Sequence, residues 1–467
     1  MSTSFSTLPL AARFLSNLNN LGYHAMTPVQ AASLPHALAG RDLIVQAHTG
    51  SGKTASFGIG MLHRLNPALF SVQGLVLCPT RELADQVAGE LRRLARGVGN
   101  VKILTLTGGV AFRPQVASLE HGAHIVVGTP GRIRDHLGKR TLDLKRVNTL
   151  VLDEADRMTD MGFYEDIAAI AGDCPAWRQT LLYSATYPDD IRAATAALLR
   201  DPLEVAVEGG QQAARIEQRF YEVDVDARDA AVATLLASLR PTSAIVFCNT
   251  KAHCEELAAA LRAQGFSARA LFGELEQRER DETLLLFAHR SCQVLVATDV
   301  AARGLDIADL DLVINAGMPK DAEVYVHRVG RTGRAGSEGL AVSVCTPGDK
   351  KWVARVEELQ GSPAQWHPLP SPPDAAPPGP APMVTLCIAG GKKDKLRPAD
   401  LLGALTGEAG LTREQVGKID ITQFASYVAL ARPAAAHAFE RLAAGSPLGP
   451  EYGAFKGRYF RMRFIEA

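Results

Sequence analysis

Two successive parallel α/β domains followed by a small α+β domain are what this sequence predicts, on three observations. Short apolar runs alternate with helical segments in two separate series. A proline-rich stretch follows the second series, and the last part of the chain reads strand, helix, strand, strand, helix, strand. A length of 467 residues exceeds what one core usually supports, which agrees with several domains. Hydrophobic residues at 47% and charged residues at 21% describe a folded protein. The formal charge is zero, so overall charge gives no sign of a nucleic-acid partner. The balance is uneven, however. From Met383 to Ala467 there are 12 Lys and Arg against 8 Asp and Glu, net +4, leaving 38 against 42, net −4, for the rest.

The seven cysteines are an odd number without a Cys-x-x-Cys pair, as expected of reduced thiols. No basic start leads into an apolar core at the N-terminus, and no apolar run approaches the roughly 18 residues of a membrane helix. A cytoplasmic protein is the expectation.

The first series is organised around Ala47-His48-Thr49-Gly50-Ser51-Gly52-Lys53-Thr54, directly behind the apolar run Leu43-Ile44-Val45. Strand, glycine-rich turn and helix start form a cradle for a polyphosphate. Gly50 and Gly52 let backbone N–H groups approach phosphate oxygens, Lys53 reaches the outer phosphates and the Thr54 hydroxyl holds Mg²⁺. Ala47 stands where the phosphate-loop pattern has its first glycine. Upstream, Thr27-Pro28-Val29-Gln30 offers an amide that can give and take one hydrogen bond each, as an adenine edge requires. An ordinary helix cap is the alternative.

Four further runs end in polar clusters, at the carboxyl ends where ligands of open α/β sheets bind. They are Leu75-Val76-Leu77 before Pro79-Thr80-Arg81-Glu82, Ile125-Val126-Val127 before Thr129-Pro130-Gly131-Arg132, Leu150-Val151-Leu152 before Asp153-Glu154-Ala155-Asp156, and Leu181-Leu182-Tyr183 before Ser184-Ala185-Thr186. Asp153 is the natural Mg²⁺-side carboxylate, and Glu154 can accept a proton from attacking water.

A second series begins at Ala244-Ile245-Val246-Phe247 and has no phosphate loop. It carries His327-Arg328-Val329-Gly330-Arg331-Thr332-Gly333-Arg334, whose three arginines at intervals of three suit phosphates better than a core. Arg331 and Arg334 are expected to act on the γ-phosphate as arginine fingers. From Gly361 to Pro382, nine of 22 residues are proline, which predicts a stiff extended linker. At roughly 3.1 Å per residue it spans up to about 68 Å.

In the tail, strands are expected at Val384–Ile388, Val416–Ile421, Tyr427–Leu430 and Lys456–Phe464. Helices are expected from Pro398 to Gly407 and from Pro433 to Ala444. Pro447 to Ala454 reads as an insertion that lengthens the last connection. On the final strand Phe460, Met462 and Phe464 share a core face, leaving Tyr459, Arg461 and Arg463 opposite. That face, and the basic loop with Lys392 and Lys393, can carry phosphate and base contacts; a solvated charged surface is the alternative.

With these residues in view, the first 360 or so positions closely resemble the DEAD-box RNA helicases, enzymes of two RecA-like domains whose family letters are Asp153-Glu154-Ala155-Asp156 themselves. The resemblance implies ATP as nucleotide, with Gln30 and Tyr23 in the adenine-recognition motif and Phe5 as its isolated upstream aromatic. It implies Ser184 and Thr186 as the motif coupling hydrolysis to strand separation. Arg81, Gly108, Gly109, Thr129 and Arg132 are implied as RNA contacts of the first domain, and Arg280 and Thr298 of the second. Phe272-Gly273-Glu274 departs from the His-Gly-Asp of many members. Met383 to Phe464 is similar to the RNA-binding domain of the bacterial DbpA subfamily, notably at Thr385–Ile388, Gly390–Lys393, Gly403–Gly407 and Gly417–Ile419. This implies an RNA-recognition-motif-like domain directed to large-subunit ribosomal RNA. The aromatic octamer of general RNA-recognition motifs is absent from Phe424 to Leu430.

The domains expected are 1–208 for ATP binding, 215–360 for the second helicase domain, 361–382 for the linker and 383–467 for RNA binding. The functional expectation is an ATP-dependent RNA helicase, monomeric, acting on 23S rRNA in large-subunit assembly. Its alternatives are an ATP-gated RNA clamp or chaperone, a general RNA helicase without ribosomal specificity, and a DNA translocase of the same superfamily.

Overall fold

The computed structural model describes residues 3–47, 50–187, 189–207, 216–302, 310–333, 339–371, 379–444 and 446–466. The chain divides into two compact units, Met1–Ala213 and a second beginning at Ala214.

The first unit holds seven strands: β1 (Leu43–Gln46), β2 (Gly74–Leu77), β3 (Ile103–Leu106), β4 (Ile125–Gly128), β5 (Thr149–Asp153), β6 (Gln179–Ser184) and β7 (Leu203–Ala206). They form one parallel sheet in the order β3-β4-β2-β5-β6-β1-β7. Both faces are covered, which is why the central strands are continuous apolar runs. Leu43, Val45 and Val151 pack into one core, whereas Ile44, Leu150 and Leu152 pack into the other. Asp42 fixes the amino end of the sheet. Its two carboxylate oxygens accept from the backbone N–H of Thr180 (2.9 Å) and Arg200 (2.7 Å).

The second unit repeats the plan with β8 (Ile216–Glu222), β9 (Ala244–Cys248), β10 (Ala268–Leu271), β11 (Val294–Thr298), β12 (Leu312–Asn315) and β13 (Gly339–Cys345), parallel in the order β10-β11-β9-β12-β13-β8. The proline-rich stretch does not simply leave this sheet. The Phe220 N–H donates to the Gln365 carbonyl (2.9 Å), the His367 N–H donates to the Phe220 carbonyl (2.8 Å), and the Trp366 ring lies 5.7 Å from that of Phe220. The expected linker therefore starts as an extra pairing on the edge of β8.

The same unit contains the small antiparallel sheet β15-β16-β14-β18-β17, from β14 (Met383–Ile388), β15 (Val416–Ile421), β16 (Ser426–Ala431), β17 (Tyr452–Phe455) and β18 (Arg458–Ile465). Helices Pro398–Thr406 and Arg432–Ala443 pack against it through Leu401, Leu405, Ala438 and Leu442. The expected insertion at 447–454 carries a strand that its sequence did not announce. Its second half is β17, paired with β18 through a tight turn in which Lys456 and Gly457 both have positive φ (53° and 71°).

The expectation for the arginine series also needs correction. Arg328 is 2% exposed and structural. Its guanidinium grips the Asp299 carboxylate with Nε and Nη2, both at 2.7 Å, and donates to the side-chain oxygens of Asn315 (3.2 Å) and Asn249 (2.8 Å) and to the Gly317 carbonyl (3.1 Å). Arginine can occupy a core when a planar fork of partners is supplied in full. Lysine cannot satisfy that fork. Arg328→Lys is expected to lower the stability of the second unit by about 3 kcal/mol in urea unfolding.

Candidate functional site

Backbone shape at the end of β1 follows from its glycines. Gly50 and Gly52 have φ of 83° and 93°, a region that disfavours side chains. Gly52 caps the helix Lys53–His63, whose first N–H groups point into the loop. Lys53 is buried and its Nζ donates to the Ala47 carbonyl at 2.6 Å, so the ammonium is held over the cradle. Thr54 follows on the same helix, and Ser51 is half-buried in the turn. His48 and Thr49, expected to bind nucleotide, lie outside the described residues.

Gln30 is buried with its amide used at both ends. Its Oε1 accepts from the Thr27 N–H (3.0 Å) and its Nε2 donates to the Gly52 carbonyl (3.1 Å). The capping box with Thr27 is present, and the same side chain ties that helix start to the phosphate loop. Tyr23 packs edge-on against buried Phe5 at 6.4 Å and donates its hydroxyl to Glu90 (2.6 Å). Burial, and then the Glu90 carboxylate, push the phenol well above its usual range.

Asp153 ends β5 and is buried beside Lys53. Burial raises its carboxyl to about 7, against the lowering influence of Lys53 and with Glu154 and Asp156 adding to the rise. A buried carboxylate short of positive charge is a fitting ligand for a cation, together with the Thr54 hydroxyl. Glu154 sits in the left-handed region (φ 55°), which turns its side chain out of the strand line. Its Oε2 pairs with Arg157 Nη1 at 3.0 Å, both side chains being buried.

The next acid joins two motifs. Asp156 Oδ2 accepts from the N–H groups of Ala185 (3.2 Å) and Thr186 (3.1 Å) and from the Thr186 hydroxyl (3.3 Å), while its own N–H donates to Ser184 Oγ (3.2 Å). Ser184 in turn accepts at its carbonyl from the Ala47 N–H (3.1 Å). Phosphate loop, acidic run and Ser184-Ala185-Thr186 are thus one bonded assembly. Asp156 was read only as part of the acidic cluster, and Arg157 was not singled out at the sequence level.

A second cluster lies at the carboxyl ends of β2, β3 and β4. The Arg81 guanidinium rests over Gly108 and Gly109, and Gly109 (φ 70°) has no room for a Cβ beneath it. Thr129 bonds back to Leu106, and Arg132 Nη1 donates to the Val110 carbonyl (3.0 Å) and Gln115 Oε1 (2.9 Å). That same Gln115 oxygen faces His136 Nε2 at 3.0 Å, and the His136 ring stacks on Phe112 at 4.2 Å. All five predicted residues of this face are therefore brought together, on a scaffold of Gln115 and His136 that sequence alone did not reveal.

Within the second unit, Arg280 donates to the Ala301 carbonyl (2.7 Å), in the short helix that directly follows Thr298 at the end of β11. Arg331 is buried after the helix Ala322–Val329. Arg334 lies outside the described residues. Phe272 is a core residue here, with Lys251 Nζ 5.0 Å from its ring. On the small domain Lys392 and Lys393 are exposed, and Lys393 Nζ stands 4.3 Å from the ring of Phe424, itself 65% exposed. Arg461 pairs with Glu451 (3.0 Å), whereas Arg463 sits beside Cys387. These two pairs of predicted residues occupy different parts of the domain, a loop and the last strand, β18.

All seven cysteines are free and buried. Among the described residues, no cluster of His, Cys, Asp and Glu has the makeup of a dedicated metal site, and no helix is long and apolar enough to cross a membrane.

The profile of the DEAD/DEAH box helicase family matches residues 27–194, that of the helicase conserved C-terminal domain residues 227–336, and that of the DbpA RNA binding domain residues 385–449. ATP-dependent RNA helicase DbpA of Escherichia coli is 50% identical over 465 residues, covering 99% of this chain and 100% of that protein. DEAD-box ATP-dependent RNA helicase CshA of Bacillus cereus is 44% identical over 76% of this chain and 68% of that protein. Among solved structures, Saccharomyces cerevisiae Dbp5 bound to RNA and ADP BeF3 is similar with a TM-score of 0.73 at 27% identity, over 79% of this chain and 96% of that one.

Burial, and secondarily Arg132, lower the His136 imidazole to about 4, so the folded protein keeps it neutral. Between pH 6.5 and 4 the unfolded chain takes up a proton that the folded one refuses, so this group's stabilisation is lost as pH falls through that window. Urea unfolding across that range is expected to show the decline, and His136→Gln to remove one proton's share of the slope.

Proposed function

This chain belongs to the DEAD-box ATP-dependent RNA helicases, and from that premise we propose that it separates short RNA duplexes on large-subunit ribosomal RNA during ribosome assembly. It is a helicase of the DbpA type, with a C-terminal RNA-binding domain. The observation that carries the narrower reading is that this RNA-binding domain, at residues 385–449, stands in one chain behind the helicase pair. Delivery to 23S rRNA is our inference from the type of that domain. We assign 1–208 and 215–360 to the two helicase domains, 361–382 to the linker and 383–467 to RNA binding, in a cytoplasmic monomer.

Thr54 and Asp153 would hold Mg²⁺, which when bound offsets charge on the phosphates. Lys53 exchanges the Ala47 carbonyl for a phosphate oxygen. Glu154 accepts the proton of the attacking water, while Arg157 holds that carboxylate in place. The loop from Ala47 to Thr54 wraps the phosphates, with Tyr23 and Gln30 toward the base. Arg331 and Arg334 are assigned the stabilisation of the transferring phosphate on sequence grounds. Asp156 passes a change at the acidic run to Ser184 and Thr186.

Arg81, Gly108, Gly109, Thr129 and Arg132 are assigned to the RNA backbone in the first domain, and Arg280 and Thr298 in the second. Lys392, Lys393, Arg461 and Arg463 are assigned to RNA on the C-terminal domain. Contacts of this kind weaken with salt.

Glu154→Gln is expected to lower RNA-stimulated ATP turnover by about 10²- to 10⁴-fold while nucleotide still binds; unchanged turnover would remove Glu154 as the base. Steady-state ATP turnover with a large-subunit ribosomal RNA fragment should exceed that with an unrelated RNA of equal length at equal salt, and equal stimulation would discard the ribosomal targeting. A short duplex should come apart with ATP. Retention of RNA without separation would favour the clamp.

A further inference from the structure

The edge strand β8 is covered from outside. Residues 365–367, at the start of the proline-rich stretch, pair with Phe220, and the Trp366 ring lies 5.7 Å from the Phe220 ring at an angle of 49°. Edge pairing by itself needs only backbone groups, which Gln365 and His367 supply. The Trp366 ring adds an aromatic contact to it. Phe220 is buried, and a second ring lies close to it, that of Tyr325 at 6.0 Å and inclined by 21°.

Tyr325 is fully buried on the helix Ala322–Val329. Its hydroxyl donates to Gln218 Oε1 (2.8 Å), which also accepts from Gln360 Nε2 (3.3 Å), and Ser343 hydrogen-bonds to the same phenol. Ser343 Oγ accepts in turn from Asn315 Nδ2 (3.1 Å), and Asn315 Oδ1 accepts from Arg328 Nη1 (3.2 Å). A continuous run of contacts thus leads from Trp366 through Phe220 and Tyr325 to Arg328, one turn further along the helix that carries Tyr325. All of these residues lie in the second unit.

That helix leads into Arg331. The Gly330 N–H donates to the Val326 carbonyl (3.0 Å) and the Arg331 N–H to the Arg328 carbonyl (3.2 Å), so helical hydrogen bonding continues up to the arginine, which is itself buried. A rotation or slip of the helix carries Arg331 with it. Aromatic pairs have preferred geometries and close-packed interiors transmit displacement, so the Trp366 ring limits where Tyr325 and its helix can sit. A group that stabilises developing charge must be held closely in place, and small misplacements caused far from the chemistry are costly.

We propose that Trp366 is a positioning residue for ATP hydrolysis, acting through Phe220 and Tyr325 on the helix that delivers Arg331. This role rests on the assignment of Arg331 to the transferring phosphate and is independent of ribosomal targeting. It makes the start of the linker part of the working geometry of the second helicase domain.

ATP turnover of the full-length protein at saturating RNA, a large-subunit ribosomal fragment, is measured together with KM for ATP, RNA affinity and the urea midpoint. Trp366→Leu keeps an apolar cover and removes the ring contact. It should lower kcat roughly tenfold with KM for ATP unchanged, the pattern of stabilisation realised only in the transition state, and Trp366→Phe should restore the rate. Tyr325→Phe keeps the ring stack and removes only the hydroxyl. It should lower kcat in the same sense, and it carries the test if Trp366→Leu folds poorly. Arg331→Ala should cost about 10³-fold in kcat, and Trp366→Leu added to it should cost nothing more, because the group being placed is gone. Unchanged turnover in Arg331→Ala would remove the Arg331 assignment and this role with it. Where Arg331→Ala does lower turnover, the role of Trp366 alone is overturned if Trp366→Leu and Tyr325→Phe keep the parental kcat, if their loss lies in KM or RNA affinity, or if the double variant shows the product of the two separate losses.

Discussion

One carboxylate oxygen holds the chemistry of the first domain together. Asp156 Oδ2 gathers two backbone N–H groups and a hydroxyl from Ala185 and Thr186, at the end of the neighbouring strand. A buried carboxylate needs such donors, and here they come from the strand end beside the one that carries Asp153 and Glu154. Because Ser184 is bonded in turn to Ala47, the three motifs are held to one another by hydrogen bonds. The parallel sheet makes this possible, since it sets the carboxyl ends of β1, β5 and β6 side by side.

The same rule, that a charge taken out of water must be met, organises the rest of the molecule. Arg157 meets Glu154, and Arg328 meets Asp299 with two asparagines. The second case shows why residue type alone misleads. Three evenly spaced arginines suggested three phosphate contacts, but a complete set of planar partners converts the first into a structural rivet. Likewise Phe272, a departure from the usual motif of the family, packs into the core of the second domain.

Much of the fold was legible in the sequence because central strands of parallel sheets are buried on both faces and so read as unbroken apolar runs. The strands that escaped notice are β3, β7, β8 and β17, and each lies at the edge of its sheet. An edge strand is half-exposed and carries polar residues, as in Ile103-Leu104-Thr105-Leu106, so no run announces it. Phosphate loop, acidic run and Ser184-Ala185-Thr186 were legible from local spacing. Gln115 and His136 were not, because their partners are distant along the chain, and Arg157 was not, because an arginine three residues after an acid reads as an ordinary solvated helix pair.

The pairing of Trp366 with Phe220 bears on where the helicase core ends. Without residues 365–367 the outer strand β8 would present a bare row of N–H and C=O groups, and the Phe220 ring would lose its cover. A fragment cut at residue 360 is therefore not the enzyme minus a tether. It is a protein with an adhesive margin, inclined to recruit strands from its neighbours, and the proline-rich stretch serves first as a hem and only afterwards as a leash.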